Sequence, residues 1–220
     1  MIIVMLGAPG TGKGTMSTYI SKYYEIPHIS TGDLFRDEIK KNGENSSKIK
    51  EFMEKGELVP DEYILKMVED RIKKIDCREG FILDGFPRNI LQADELYQML
   101  KKNKFQLDAV INLEVPKEEI IDRIVNRLVC PKCKAIYNLK TKKPLTEWMC
   151  DKCDSKLVRR PDDTEEKVVT RLEEYYNKTY DLIEYYKKTG KLFTIETSIK
   201  LNKSEKDILK EIDWNISKNK

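Results

Sequence analysis

Residues 1–17 read MIIVMLGAPGTGKGTMS, six apolar residues that run into a glycine-rich loop holding one lysine. The apolar run reads as a buried strand, and helical spacing resumes after the loop. Gly7, Gly10, Gly12 and Gly14 let the backbone turn tightly, so that successive N–H groups point inward, and a helix starting near Lys13 adds its positive end. Such a loop cradles an anion. Lys13 supplies a point charge for the outer phosphates of a nucleoside triphosphate, and Thr15 a hydroxyl near magnesium. A strand before and a helix after form the context that a G-x-x-x-x-G-K pattern requires. Gly14 departs from the general pattern, which has Ser or Thr there; Thr15 follows one place later.

Outward from this loop, FILDGF (81–86), DAVINLEV (108–115) and KLFTIET (191–197) read as further strands, with EIPHIS (25–30) a shorter fifth. Stretches of helical spacing separate them, which means an α/β fold with a five-stranded parallel sheet covered by helices on both faces, a three-layer arrangement. Ligands of such sheets gather at the carboxyl ends of strands, where both GAPGTGKGT and DGFPR fall. Two polar segments interrupt the alternation and read as insertions: a helical one over residues 30–59, and one over 127–163 that holds the cysteine pairs. The core is then 1–29, 60–126 and 164–220.

The chain of 220 residues is 40% hydrophobic and 36% charged, a globular composition with enough length for a substantial core. A net charge of +3 does not by itself imply a basic nucleic-acid-binding surface, which leaves local clusters open, and the opening apolar run is too short to span a membrane. A cytoplasmic protein is expected. Four of the five cysteines form C-x2-C-x16-C-x2-C, Cys130, Cys133, Cys150 and Cys153, the spacing of a four-thiolate tetrahedral zinc site. Four thiolates close the coordination sphere, so this metal is structural and organises a segment too polar to build its own core. Iron in the same cage is a minor alternative. Cys77 reads as a small half-buried apolar side chain, and His28, the only histidine, as structural.

GAPGTGKGT, ISTGDLFR, GELVPDE, LDGFPR, DRIVNR and RPDD, in that order along nearly the whole chain, resemble the adenylate kinase family of nucleoside monophosphate kinases. The resemblance implies reversible, magnesium-dependent transfer of the terminal phosphoryl group of ATP to AMP, giving two ADP. It makes residues 30–59 the monophosphate-binding insertion and 127–163 a zinc-bearing lid of the long type. Thr31, Arg36, Gly85, Arg88 and Gln92 then bind AMP, with Gln92 reading the adenine edge through its amide, and Glu57, Leu58 and Val59 contribute backbone contacts. Gly10, Thr11, Gly12, Lys13, Gly14 and Thr15 hold ATP. Arg123, Arg160 and Arg171, with Lys13 and Arg88, clamp the transferring phosphate, and Arg127 and Tyr137 lie next to ATP. Asp84 orders magnesium through its waters. Asp162 and Asp163 match a hinge and arginine-orienting pair, although both could equally cap a helix. A monomer is expected from the family alone.

The placement of the arginines agrees with this chemistry. Arg123 and Arg127 are read as four apart on one helix, KEEIIDRIVNRL, where like charges repel unless a polyphosphate lies between them. Arg171 falls on the apolar side of its helix and should reach an anion or a carboxylate. The nucleophile is already an anionic phosphate oxygen, so no strong general base is needed. Three departures from the family stand out: Met16 replaces a glutamine, Leu128 replaces a second arginine, and TSIKLNK (197–203) aligns poorly, leaving Ile199 as a weak candidate for the donor base. The nearest alternative is a kinase for another monophosphate, such as UMP or CMP, or one using GTP as donor. A nucleic-acid-binding zinc ribbon on an ATP-driven switch is the reading from a different class, and KAIYNLKTKKPLTEW is not densely basic enough to favour it.

Overall fold

In a computed structural model of the chain, which describes residues 1–198 and 205–218, all five expected strands form. The strands are β1 (Ile2–Leu6), β2 (His28–Ser30), β3 (Phe81–Asp84), β4 (Ala109–Glu114), β5 (Arg127–Val129), β6 (Ile136–Asn138) and β7 (Leu192–Glu196). The helices are α1 (Lys13–Tyr24), α2 (Thr31–Lys40), α3 (Ser46–Lys55), α4 (Asp61–Ile72), α5 (Ile90–Lys102), α6 (Lys117–Val125), α7 (Glu165–Glu174), α8 (Leu182–Lys187) and α9 (Glu205–Lys218). Five strands make one parallel sheet in the order β2-β3-β1-β4-β7. Strand β1 lies centrally, with β3 on one side and β4 on the other, so the loop after β1 opens where the winding changes direction.

Residues 2–6 are all buried, as a central parallel strand demands, and their alternation feeds two apolar clusters. Ile2, Val4 and Leu6 join Phe81, Leu83, Phe86 and Leu96 on one face; Ile3 and Met5 join Met16, Ile20, Ile82, Ile111 and Ile212 on the other. Met16, one of the departures from the family pattern, is thus a core residue of α1. Cys77 is fully buried rather than half-buried, and its thiol lies 3.0 Å from the Arg71 guanidinium.

The two insertions differ in how they cohere. The first consists of helices α2 and α3 joined by a turn over residues 41–45, as its helical spacing led us to expect, and Phe35 and Ile49 pack into the main core. The cysteine-bearing segment has its own small cluster of Leu128, Cys130, Tyr137, Cys150 and Leu157 around an antiparallel pair, β5 and β6. Leu128 is fully buried there, so an arginine at that position would have to bury its charge.

Phe81 has no exposed surface and packs edge-to-face on Phe105 with ring centroids 5.5 Å apart. Phe81→Ala is expected to cost about 3–5 kcal/mol, read as a lower urea midpoint at unchanged m.

Candidate active site

The loop after β1 meets α1 at Gly12, whose φ of 96° is left-handed and whose missing side chain leaves open space towards the cleft. At Gly7 a Cβ would lie 2.4 Å from the Leu113 carbonyl oxygen, so the loop starts in close contact with β4. Thr11 is buried; its hydroxyl donates to the Ala8 carbonyl at 2.9 Å, while its own carbonyl accepts from the Thr197 hydroxyl at 2.9 Å. Lys13 Nζ donates to the Gly7 and Ala8 carbonyls at 2.7 and 2.8 Å. Desolvation in the cleft lowers its pKa to about 8; Asp84 opposes that shift, and Arg88, Arg171 and Arg127 reinforce it.

A cavity of about 510 Å³ opens from this loop. Its walls include the loop itself, Thr15, Thr31, Arg36, Glu57–Val59, Asp84, Gly85, Arg88, Arg123, Arg127, Tyr137, Arg160 and Arg171. Ser30 caps α2 by accepting from the Asp33 N–H at 3.3 Å, which turns β2 directly into the helix. One turn on, Arg36 Nη2 donates to Asp33 Oδ1 at 2.7 Å. The Thr31 hydroxyl donates to the Gly85 carbonyl at 3.0 Å, and the same carbonyl accepts from Arg88 Nε at 2.8 Å. Desolvation holds the Arg88 pKa at about 10, with Arg171 lowering it further and Asp84 raising it.

On the opposite wall, Arg127 grips Asp163 through both Nε and Nη2, and Arg171 Nη1 lies 3.3 Å from Asp162 and 3.7 Å from Asp163. Asp162 and Asp163 orient arginines; the cap of α7 is Thr164, whose hydroxyl accepts from the Lys167 N–H at 3.4 Å. The Arg160 guanidinium has no hydrogen bond or ion pair among the described residues, and desolvation together with Arg127 and Arg36 lowers its pKa to about 10. Asp84 faces Lys13 across the cleft and meets His28 Nε2 at 3.2 Å. Desolvation pushes its carboxyl up, and His28, Lys13 and Arg88 together bring it below the ordinary carboxylate value.

The cysteine sulfurs of residues 130, 133, 150 and 153 lie within 4.8 Å of one another, with Cys130–Cys153 at 3.4 Å and Cys133–Cys150 at 3.5 Å. Tetrahedral zinc with Zn–S bonds of about 2.3 Å sets its sulfurs about 3.8 Å apart, so the cage fits. The two knuckles repeat one geometry. Lys134 (φ 61°) and Asp154 (φ 55°) follow the second cysteine of each pair, and their N–H groups donate to the carbonyls of Cys130 and Cys150 at 3.0 and 2.9 Å.

The family model for adenylate kinase matches residues 5–191. The chain is 49% identical over 212 residues to an adenylate kinase of Caldanaerobacter subterraneus subsp. tengcongensis, an alignment covering 96% of each. It is 48% identical over 209 residues to an adenylate kinase of Acetivibrio thermocellus, covering 95% of this chain and 96% of the other. An adenylate kinase of Clostridium kluyveri is 46% identical over 202 residues, covering 92% of this chain and 93% of the other. The chain belongs to the adenylate kinase family.

For an adenylate kinase, a phosphotransferase, three placements differ from the reading of the sequence. Helix α6 ends at Val125, so Arg127 lies on β5 and the pair Arg123–Arg127 does not share one helix. Asn126 ends the helix by turning its Nδ2 back to the Asp122 carbonyl at 2.9 Å. Arg123 lines the cavity at its Thr197 side, donating to Glu119 at 3.0 Å and to the Thr197 carbonyl at 2.6 Å, whereas Arg127 stands among the groups that perturb Lys13. The Tyr137 hydroxyl turns onto the cysteine cage, accepting from the Asp151 N–H at 2.9 Å and lying 3.6 Å from Cys150 Sγ. His28 is structural in that it touches Asp84, yet it also lines the cavity.

Gln92 is buried beside a smaller pocket of about 20 Å³, room for a water but not for a base. Ile199 lies outside the described residues. Asp33, Glu119 and Thr197 went unread in the sequence. Of these, Asp33 and Glu119 carried a signal, an acidic residue three or four places before an arginine on a helix.

Two outcomes follow for this adenylate kinase. The folded Lys13 pKa lies below the unfolded value of 10.5, so between pH 8 and 10.5 the unfolded state binds more protons and this residue makes stability rise with pH. A bound polyphosphate pulls that pKa back up. Titration with ATP at pH 9 should therefore take up about one proton, falling away towards pH 7, read by calorimetry in buffers of different ionisation enthalpy. A chelator that strips the cysteine cage should lower the melting temperature first and leave phosphoryl transfer measurable below it; immediate loss of activity at unchanged stability would contradict a structural metal.

Proposed function

We propose that the cavity holds ATP at the loop after β1 and AMP against α2 and α5, for the reversible reaction ATP + AMP ⇌ 2 ADP. The observation that carries this reading is the convergence of Lys13, Arg36, Arg88, Arg127, Arg160 and Arg171 on one cleft that ends at an anion-cradling loop. Desolvated cations at this density suit two polyanions held end to end, with charge to neutralise between them.

In the transfer, a phosphate oxygen of AMP forms a bond to the terminal phosphorus of ATP while the bond from that phosphorus to the bridging oxygen breaks, leaving ADP on each side. The attacking oxygen carries no proton that must be removed, which leaves His28 without a role as base. Gly10–Thr15 and Lys13 hold the donor phosphates, whose charge replaces the carbonyl contacts that Lys13 now makes. Arg88 meets the acceptor phosphate at the start of α5, with Arg36 and Thr31 beside it. Arg127, Arg160 and Arg171 take the clamp on the transferring group, Arg127 and Arg171 aimed by Asp162 and Asp163. Arg123, beside Thr197, takes the donor-base side instead. Magnesium neutralises and orients the donor phosphates when bound, and Asp84 and Thr15 are the groups placed to hold its waters. Zinc belongs to Cys130, Cys133, Cys150 and Cys153.

The division into a core (1–29, 60–126, 164–220), an acceptor arm (30–59) and a lid (127–163) serves this reaction. The lid carries Arg127 and Arg160 and excludes water from the triphosphate when it closes. A cytoplasmic monomer acting on small molecules, without nucleic acid or membrane, is the setting proposed for it. Among the described residues no helix is long and apolar enough to cross a membrane.

On metal-replete protein, ADP should form from magnesium-ATP only with AMP present, and far more slowly with GMP, CMP or UMP. ATP consumption without an acceptor, or with a pyrimidine monophosphate alone, would leave the donor site standing and remove the acceptor assignment.

A further inference from the structure

The Gln92 amide is held from both sides. Its Oε1 accepts from the Arg88 N–H at 2.7 Å, and its Nε2 donates to Asp61 Oδ1 at 2.6 Å. A backbone N–H can only donate and a carboxylate only accept, so these partners leave one orientation of the amide. A half-turn would set oxygen against the carboxylate and NH2 against the N–H, leaving both bonds unmade in a buried place. Asp61 is itself anchored: both of its oxygens accept from Asn89 Nδ2 at 3.1 Å. Asn89 Oδ1 in turn caps α5 by accepting from the Gln92 N–H at 2.8 Å. One carboxylate at the start of α4 therefore fixes both amides in the first turn of α5.

With these bonds made, the Gln92 amide retains one N–H and one acceptor lone pair. It borders the small pocket with Phe35, Leu58 and Val59, which also wall the main cavity; a flat base reaching Gln92 from there must part these apolar surfaces, because the pocket as it stands holds only a water. A 6-aminopurine shows an N–H donor at position 6 next to an acceptor at N1. A 6-oxopurine shows the reverse order, acceptor then donor, and would pair with the amide only after a half-turn.

We propose that Asp61 is a specificity-determining positioning residue, which with the Arg88 N–H locks the Gln92 amide in the orientation that pairs with a 6-aminopurine monophosphate and rejects a 6-oxopurine one. The proposal rests on the reading of Gln92 as the acceptor-base contact. Asp61→Asn is nearly isosteric and offers either an acceptor or a donor to Gln92, so it removes one of the two constraints on the amide, leaving the Arg88 N–H, without emptying the site.

The test measures kcat/KM for AMP and for IMP, with magnesium-ATP saturating, in the parent, Asp61→Asn, Gln92→Ala and the double variant, each checked by thermal melting. Asp61→Ser provides the same comparison should the Asn variant melt early. The proposal expects the AMP-to-IMP ratio to fall about tenfold in Asp61→Asn, mainly through KM for the monophosphate, and no further fall when Asp61→Asn is added to Gln92→Ala. Equal losses on both acceptors, or an unchanged ratio in Asp61→Asn alongside a lowered one in Gln92→Ala, would overturn the role of Asp61 and leave Gln92 in place. An unchanged ratio in Gln92→Ala would overturn the reading beneath it.

Discussion

Lys13, Arg88, Arg160 and Arg171 all sit where their charged forms are disfavoured, because the cleft strips water from them and neighbouring cations repel them. Asp33, Glu57, Asp84, Asp162 and Glu174 offset part of this, but five carboxylates do not balance the nine lysines and arginines that line the same cavity. Desolvated like charges lower stability unless something of opposite sign joins them. The fold tolerates the arrangement because the sheet and its two apolar clusters hold the strand ends rigidly, so the cations cannot relax away into water. Binding sites of this kind place stability and function in opposition. A polyanion that enters finds its counter-charges already positioned, which is where electrostatic catalysis has its advantage over water.

The insertions translate that constraint into two kinds of wall. The helical insertion shares the main core through Phe35 and Ile49, so its position is tied to the sheet. The cysteine-bearing insertion has a small cluster of its own, and its two knuckles bring four thiols within tetrahedral reach. A metal held there would stiffen the segment that carries Arg127 and Arg160. Tyr137 belongs to that stiffening, since its hydroxyl lies against Cys150 and the Asp151 N–H rather than in the cleft.

The strands were legible because each is short, apolar and bounded by turn-forming residues, and the loop after β1 because glycines, lysine and context agree. The cysteine cage was legible from spacing alone. Placement within the cleft was less so, since it depends on where helices stop. Arg123 and Arg127 looked alike in sequence, yet Asn126 ends α6 between them and gives them different partners, Glu119 and Thr197 for one and Asp163 for the other. Leu128 looked like a lost arginine and is a core residue of the lid. Asp61 lay inside a quoted motif, but its meaning rests on Asn89 and Gln92, 28 and 31 residues away, which no local pattern reveals.

The most direct measurement is the urea unfolding free energy of ligand-free Arg88→Met beside its rate of phosphoryl transfer from ATP to AMP. If the cleft is held in electrostatic tension for a polyanion, removing one desolvated charge of similar shape should leave stability equal or higher. The loss of the Arg88 bond to Gly85 is a minor cost, and transfer should fall by roughly 10²–10³-fold. A loss of about 2 kcal/mol or more in stability, with transfer little changed, would show instead that Arg88 holds the fold and that its charge is not kept for substrate.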